Sequence, residues 1–299
     1  MTGAEIGKHA VVAGFDGSAP ARSAVLWAAP EAASRGCRLL IAHVVRGPVP
    51  ELAMTPLTTP LPAAVNEDAI RSHAENELTA LTAECVRQSP GLDVATLIEH
   101  GHPADVLGRL GAEAETLVVG SSGRSGLTRA LLGSTAAELA GHHERPVVVV
   151  REGKASGGRV VVGVDGSDTS AAAIEFAFGF AQRRGVGLLA VHAWSDMPIE
   201  ALAPNQDWSY NWDQVRSESD AMIARCVAGH LEDHPDVEVE RTVSFHGPAQ
   251  ALIDVADDAG LLVVGSHGRG AIRRALLGSV SHAVLYHAPC PVAVVRRNS

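Results

Sequence analysis

Short runs of consecutive apolar residues recur along the chain, separated by longer stretches in which apolar and polar residues follow a helical spacing. Four of these runs are TLVVG at 116–120, PVVVV at 146–150, LLVVG at 261–265 and PVAVV at 291–295. Apolar runs without alternation are typical of strands that are covered by helices on both faces of a sheet. The pattern therefore predicts an α/β protein with a parallel, doubly wound sheet and right-handed crossovers.

The same pattern gives the order of the elements, and the second half of the chain repeats the order of the first. For the first half we expect strands near residues 10–15, 38–45, 92–99, 116–120 and 146–150. We expect helices near residues 19–35, 66–88, 103–114 and 134–143.

An internal duplication explains why the order repeats. VVAGFDGS at 11–18 matches VVVGVDGS at 160–167, and VVGSSGRSGLTRALLGST at 118–135 matches VVGSHGRGAIRRALLGSV at 263–280. The segment between the copies, REGKASGGR, is polar and rich in glycine and has no helical or alternating pattern. We therefore predict a first domain at 1–151, a linker at 152–158 and a second domain at 159–299.

Composition narrows the class of protein. The 299 residues include 46% hydrophobic residues, and 24 Lys and Arg against 34 Asp and Glu give a net charge of −10. That charge opposes binding to nucleic acid or to anionic membranes. The sequence has no apolar run of membrane-spanning length and its first residues lack a secretion signal, so we expect a cytoplasmic protein. The four cysteines show no CxxC spacing, which predicts free thiols.

Ligands of doubly wound sheets bind beyond the carboxyl ends of the strands, which directs attention to the loop after strand one. This loop contains Gly14 and Asp16 in the first half, and Gly163 and Asp165 in the second. A carboxylate here suits a ribose hydroxyl or a ligand-bound Mg²⁺. The alternative is that the aspartate, or the serine that follows it two residues later, only caps the next helix.

The loop after strand four carries a second repeated motif. Its frame is Gly120-x2-Gly123-x9-Gly133-Ser134, which returns as Gly265-x2-Gly268-x9-Gly278-Ser279. Glycine lets the backbone approach an anion, and the start of a helix offers N–H groups and the positive end of its dipole. The frame therefore predicts a phosphate cradle in each half. The structural alternative is that the glycines serve tight turns only.

On these residues, and on the closing strands RPVVVV and CPVAVV, the chain resembles a tandem universal stress protein of the ATP-binding type. The resemblance covers both halves. It implies a five-stranded parallel sheet flanked by helices in each half, a Rossmann-like fold similar to that of the adenine nucleotide alpha hydrolases. It also implies one ATP per half, held with Mg²⁺.

The resemblance assigns the binding residues position by position. In both halves the strand-one aspartate, Asp16 or Asp165, would lie on the adenosine and metal side, and the backbone of Val44 or Ala193 would meet the adenine. The first-half candidates are Gly14, Asp16, Val44, Gly120, Ser121, Ser122, Gly123, Arg124, Ser125, Gly126, Gly133, Ser134 and Thr135. The second-half candidates are Gly163, Asp165, Ala193, Gly265, Ser266, His267, Gly268, Arg269, Gly270, Gly278, Ser279 and Val280.

No nucleophile elbow or evident catalytic base is present, so we assign no catalytic residue. The leading hypothesis is an ATP-binding regulator in the stress response. The alternatives are a slow ATPase or adenylate-transferring enzyme on the same loops, and an interaction scaffold whose glycines serve only the fold. His43 and His192, which end strand two in each half, are interpreted as core residues. The resemblance further implies an intrachain pseudo-dimer through the final strands, while a homodimer and the protein partners stay open.

Overall fold

Helices and strands alternate along both halves of the chain. The computed structural model describes residues 8–45, 67–123, 132–151, 158–194, 211–268 and 277–297. The first-half strands are β1 (Val11–Phe15), β2 (Leu39–Val45), β3 (Val94–His100), β4 (Thr116–Gly120) and β5 (Val147–Val150). The first-half helices are α1 (Ala19–Arg35), α2 (Glu67–Gln88), α3 (Pro103–Leu110) and α4 (Ser134–His142).

The second half repeats this series element by element. Its strands are β6 (Val160–Gly163), β7 (Leu188–Ala193), β8 (Val239–Ser244), β9 (Leu261–Gly265) and β10 (Val292–Val295). Its helices are α5 (Asp168–Arg184), α6 (Trp212–Asp233), α7 (Pro248–Asp254) and α8 (Ser279–His287).

All these strands join one sheet in the order β3-β2-β1-β4-β5-β10-β9-β6-β7-β8. Within each half every strand pair is parallel, as the uninterrupted apolar runs predicted. Strand order reverses next to β1 and β6, because β1 lies between β2 and β4, and β6 lies between β7 and β9. In such sheets the crevice at this reversal is where ligands bind.

Both faces of the sheet are covered. Val11 and Ala13 of β1 belong to a core that includes α1, whereas Val12 between them packs into a second core with residues of α3 and α4. All three side chains have no exposed surface. The predicted fold class, tandem α/β domains with a mostly parallel sheet flanked by helices, is confirmed.

Helix α3 is shorter than expected from the sequence. The pattern predicted a helix to residue 114, but α3 ends at Leu110. A turn follows, in which the Ala114 N–H donates to the Gly111 carbonyl, and the Glu115 N–H then donates to the Ala10 carbonyl beside β1. The chain therefore leaves the helix early because β4 must enter the sheet next to β1.

The two halves meet through their last strands. Strands β5 and β10 pair antiparallel, with Val148 opposite Ala293. This confirms the predicted intrachain pairing of the final strands.

Helices α1 and α5 add a second contact between the halves. The rings of Trp27 and Phe180 stack with centroids 5.7 Å apart and planes 6° from parallel. Beside them the fully buried carboxylate of Glu31 faces three guanidinium groups. Its oxygens lie 2.6 Å from Arg35 Nε, 3.1 Å from Arg183 Nη2 and 3.7 Å from Arg184 Nε.

The four cysteines all lie among the described residues, and none of them is joined in a disulfide there, as predicted. Among the described residues, none of the helices has the length and apolar character needed to cross a membrane.

Candidate functional site

The turn after the first strand of each half holds the aspartate in a fixed position. Asp16 Oδ1 accepts a hydrogen bond from the Ser18 N–H at 3.0 Å, and Asp165 Oδ1 accepts one from the Ser167 N–H at 2.9 Å. The intervening Gly17 and Gly166 have φ of 82° and 77°, a left-handed conformation that favours glycine. These are Asx turns, in which the aspartate folds the backbone around its own carboxylate.

The serine, not the aspartate, caps the helix that follows. Ser18 Oγ accepts from the Ala21 N–H at 3.3 Å, and Ser167 Oγ accepts from the Ser170 N–H at 3.2 Å. The N-cap alternative therefore accounts for Ser18 and Ser167. The Asp16 and Asp165 carboxylates stay at the carboxyl ends of β1 and β6.

The middle glycine of each Gly-rich frame lies against this carboxylate. A Cβ added at Gly123 would be 2.7 Å from Asp16 Oδ2, and one added at Gly268 would be 2.7 Å from Asp165 Oδ2. Such distances are too short for a real side chain. Because glycine has no side chain, the loop after the fourth strand can lie close to the carboxylate after the first strand. This holds for Gly123 and Asp16 in the first half and for Gly268 and Asp165 in the second.

The last glycine of each frame closes the loop onto a helix. The Gly133 N–H donates to the Ser121 carbonyl at 2.7 Å, and the Gly278 N–H donates to the Ser266 carbonyl at 2.8 Å. Gly133 and Gly278 are the N-caps of α4 and α8, and no side chain accepts a hydrogen bond there. The first turns of these helices therefore begin beside the loop without a competing side-chain acceptor.

The first glycine of the frame has a structural explanation. A Cβ at Gly120 would lie 2.6 Å from the Ala21 nitrogen, and one at Gly265 would lie 2.9 Å from Thr169 Oγ1. These two glycines let α1 and α5 start close to β4 and β9. The alternative that the glycines serve only the fold is therefore sufficient for Gly120 and Gly265. It does not explain Gly123 and Gly268, which lie beside the Asp16 and Asp165 carboxylates.

A cavity of about 400 Å³ in the second half brings most of the predicted residues together. It lies at the carboxyl ends of β6, β7 and β9, where strand order reverses. The predicted residues that line it are Gly163, Asp165, Ala193, Gly265, His267, Gly268, Gly278, Ser279 and Val280. This volume is within the range of small-molecule and cofactor sites.

Comparison with known proteins agrees with this architecture. The family model of the universal stress protein family matches residues 8–151 and again residues 158–296. The chain belongs to the universal stress protein family. A universal stress protein of Mycobacterium tuberculosis is 39% identical over 297 residues, which cover 97% of this chain and 98% of that protein. One from Mycolicibacterium smegmatis is 37% identical over 294 residues, 97% of each chain.

A solved structure shows the same tandem fold. The crystal structure of a universal stress protein from Archaeoglobus fulgidus superposes with a TM-score of 0.68 over 97% of this chain and 98% of that chain. The two sequences are 19% identical, so the likeness concerns the fold.

Among the second-half candidates that the structure describes, Ser266 does not line the cavity of this universal stress protein. Ser266 is 1% exposed; its N–H donates to the Val295 carbonyl at 2.8 Å, and its own carbonyl accepts from Ser281 Oγ at 3.1 Å. The N–H of Ser121 likewise donates to the Val150 carbonyl at 2.8 Å. These serines tie the loop to the last strand of each half.

The other described candidates of the first half lie at positions equivalent to those of the second half. Val44 lies near the end of β2, and Ser134 and Thr135 form the start of α4. The Ser122 carbonyl accepts a hydrogen bond from Ser18 Oγ at 3.4 Å, as the His267 carbonyl does from Thr169 Oγ1. Gly14 packs against Leu107, where an added Cβ would be 2.8 Å from Leu107 Cδ1.

Five candidates fall in parts of the two loops that lie outside the described residues. They are Arg124, Ser125 and Gly126 in the first half and Arg269 and Gly270 in the second. The predicted linker at 152–158 also lies outside, apart from Gly158.

Sequence analysis missed several cavity residues that come from other elements. They are Val164, Ser170, Val191, His192, Trp194, Pro248, Leu252, Val264, Leu277 and Ser281. Trp194 directly follows Ala193, which was a predicted site residue, so the sequence could have indicated it. Most of the others are ordinary core or helix residues, and nothing in their sequence pattern marks them.

His192 has the structural role predicted for it and also lines the cavity. Its Nδ1 lies 2.7 Å from the Val164 carbonyl, and the side chain is 7% exposed. A carbonyl only accepts hydrogen bonds, so Nδ1 carries the proton of this pair. The bond joins the ends of β6 and β7 at the cavity wall.

A surface cluster lies between the start of α3 and the middle of α4. The ligand atoms of His102, Asp105 and Glu138 are all within 4.8 Å of one another, and all three residues are exposed. Glu138 is distant from His102 and Asp105 along the chain, so the sequence pattern does not reveal this cluster. Exposed acidic groups of this kind commonly occur without a metal ion.

Proposed function

We propose that each half of this universal stress protein binds one ATP together with Mg²⁺, and that occupancy makes the protein a nucleotide-dependent regulator in the stress response. The observation that carries the proposal is the second-half cavity. In it an aspartate, the glycines of the strand-four loop and the start of α8 surround one space at the point where strand order reverses. Residues distant in sequence thus converge where nucleotides bind in such folds.

The phosphates would be held by the loop and the helix start. Gly268, Gly278 and the first turn of α8 offer backbone N–H groups, and the dipole of α8 favours negative charge at this end. A side chain at Gly268 would occupy the space beside the Asp165 carboxylate. The residues present therefore fit a phosphate group.

The carboxylates of Asp16 and Asp165 supply the oxygen ligands that Mg²⁺ prefers. One oxygen of each is fixed by a serine N–H, and the other faces the glycine loop. Both halves share this arrangement, which supports one site per half. When bound, the metal would neutralise phosphate charge beside the loop.

Calorimetry tests the proposal. Nucleotide is first removed by denaturing and refolding the protein, and the released supernatant is analysed for bound nucleotide. We expect ATP with Mg²⁺ to bind to the emptied chain with a stoichiometry of two. Absence of heat with ATP at millimolar concentration would contradict the proposal and favour the scaffold hypothesis.

A single-turnover assay separates a regulator from a slow ATPase or an adenylate-transferring enzyme. Labelled ATP is incubated with excess protein and the products are separated over time. A regulator returns intact ATP, whereas an enzyme yields ADP or an adenylate. Asp16→Asn and Asp165→Asn must abolish any product that belongs to these sites.

A further inference from the structure

The hydroxyl of Ser170 connects the start of α5 with the loop that carries Asp165. Ser170 lies in the first turn of α5, lines the second-half cavity and is 3% exposed. Its Oγ accepts a hydrogen bond from the Asp165 N–H at 3.2 Å and donates to the Gly163 carbonyl at 3.5 Å. Within a helix a serine hydroxyl can bond a carbonyl of the preceding turn, but this one reaches back to the loop after β6. The loop and the helix start are thus joined by a side chain in the cavity wall.

Two hydrogen bonds therefore hold Asp165, one on its main chain and one on its carboxylate. Ser170 Oγ accepts from the Asp165 N–H, and Asp165 Oδ1 accepts from the Ser167 N–H at 2.9 Å. The second carboxylate oxygen, Oδ2, faces Gly268, where an added Cβ would be 2.7 Å away. Because the main chain and Oδ1 are both bonded, Oδ2 can take few positions beside the glycine loop.

The first half shows that this hydroxyl is not needed to begin the helix. The repeat places Ala21 where the second half has Ser170. The Ala21 N–H donates to Ser18 Oγ just as the Ser170 N–H donates to Ser167 Oγ. Capping therefore uses only the main chain at this position, and an alanine fits there with 4% of its surface exposed. What the serine adds is its bond to the loop of Asp165.

We propose that Ser170 is a positioning residue, which holds the loop after β6 so that the Asp165 carboxylate is preorganised to bind the Mg²⁺ that accompanies ATP in the second half. This inference rests on the proposed function, because it concerns the metal side of the same site. A carboxylate that is already in position binds a metal more tightly, since less ordering is needed when the metal arrives. Ser170 acts only through Asp165, so its loss weakens the metal-dependent part of ATP binding.

Calorimetric titrations of the emptied full chain, with ATP in Mg²⁺ and with ATP in EDTA, test this role. The chains carry Asp16→Asn, which removes the proposed metal ligand of the first half, so the gain in ATP affinity caused by Mg²⁺ comes from the second half. For Ser170→Ala we expect that gain to fall by roughly three- to tenfold, the effect of losing one hydrogen bond, while the affinity for ATP in EDTA is unchanged. Ser170→Thr keeps the hydroxyl and should retain most of the gain.

A double-mutant cycle shows whether Ser170 acts through the carboxylate. Asp165→Asn should abolish the gain caused by Mg²⁺, and adding Ser170→Ala should then leave the ATP affinity in Mg²⁺ unchanged. Ser219→Ala is the matched control, because Ser219 is also a buried serine, on α6, but does not line the cavity. It should leave ATP binding as it is, with and without Mg²⁺.

Three outcomes would overturn the proposal. If Ser170→Ala keeps the full gain caused by Mg²⁺, the hydroxyl only satisfies local hydrogen bonds. If ATP affinity falls by the same factor in Mg²⁺ and in EDTA, Ser170 supports the cavity as a whole and not the carboxylate. If Ser170→Ala still weakens ATP binding in the Asp165→Asn chain, it does not act through Asp165. A wild-type chain that binds no ATP under either condition would overturn the proposed function as well.

Discussion

Arg151 and Arg296 end the two central strands, and each reaches across to a helix of the other half. Arg151 Nη2 donates to the Leu285 carbonyl in the last turn of α8, and Arg296 Nη2 donates to the Gly141 carbonyl in the last turn of α4. A guanidinium at the carboxyl end of a helix satisfies a carbonyl and complements the dipole. Burial lowers the pKa of both arginines from its ordinary value.

Replacing either arginine by methionine should therefore destabilise the contact between the halves. Arg151→Met and Arg296→Met keep the apolar stem but remove the donor from a helix-end carbonyl. We expect each to lower the free energy of unfolding by about 1–3 kcal/mol, measured by urea denaturation. Arg87→Met, at an exposed site on α2, is the control and should change it little. Equal stability of all three variants would show that the cross-half hydrogen bonds contribute nothing.

Alanine at the middle glycine of either frame should displace the neighbouring carboxylate. Gly123→Ala and Gly268→Ala place a Cβ 2.7 Å from Asp16 and Asp165 respectively. A carboxylate can rotate away, so the fold should survive while ATP affinity in that half falls by roughly tenfold or more, about 1.4 kcal/mol. Calorimetry should then find one strong site instead of two.

Two further alanine variants separate this effect from general damage. Gly229→Ala adds a Cβ into open space on α6 and should leave ATP binding unchanged. Gly120→Ala meets the Ala21 backbone at 2.6 Å, which cannot rotate away, and should lower stability by about 1–3 kcal/mol. Two full-strength sites in Gly123→Ala would contradict the placement of Asp16 in the site.

Glu31 should be essential for the stability of the α1–α5 contact. Its buried carboxylate is the negative partner of Arg35, Arg183 and Arg184, and desolvation lowers the pKa of the latter two. Glu31→Gln would remove this buried negative partner from Arg183 and Arg184, while Arg35 would keep Glu115, whose carboxylate lies 3.6 Å from its Nη1. We therefore expect a loss of about 3–5 kcal/mol of unfolding free energy.

The exposed pair of Arg71 and Glu75 on α2 offers a matched control. Glu75→Gln also removes a carboxylate from an arginine, but in water, where such pairs contribute little. Both variants should be compared by thermal and urea denaturation. A loss for Glu31→Gln no larger than that for Glu75→Gln would contradict the expectation.

Cys85 should make stability depend on alkaline pH. Burial raises the pKa of this thiol from 9.0 to about 11. The folded state thus favours the protonated thiol, and this contribution is complete below pH 9 and is lost as pH rises through 11. The free energy of unfolding should fall by up to about 2.7 kcal/mol over that interval.

Cys85→Ala shows whether the thiol is the cause. Below pH 9 the variant should be less stable than the wild type, because it loses buried volume. The difference between wild type and variant should nevertheless shrink between pH 9 and 11 in urea denaturation. A constant difference across that range would mean that the thiol does not titrate as expected.

Most of the fold could be predicted from the sequence because the central strands are short apolar runs, which favour burial on both faces of a sheet. LLVVG at 261–265 can be buried on both faces only in the middle of a helix-covered sheet, and β9 lies there. The predicted end of α3 was wrong, because the position at which the helix ends depends on how β4 enters the sheet beside β1. This is a tertiary constraint. Local spacing carries no information on that contact.

The candidate site was predictable where its chemistry is local. Asp165 and Gly268 could be found because the repeat presents them twice and because each residue type has a specific backbone or ligand property. The contact of Glu31 with Arg183 and the ring contact of Trp194 with Trp212 could not be found, because they join residues that no sequence pattern links. Side-chain packing between elements decides these pairs.

Joining two copies in one polypeptide has a consequence for how the protein can change over evolution. In an assembly of identical subunits every substitution appears in both binding sites, and neither can specialise alone. Here β5 and β10 hold the copies together while each keeps its own sequence. Position 45 could therefore stay valine while position 194 became tryptophan, a difference that two copies of one identical subunit could not carry.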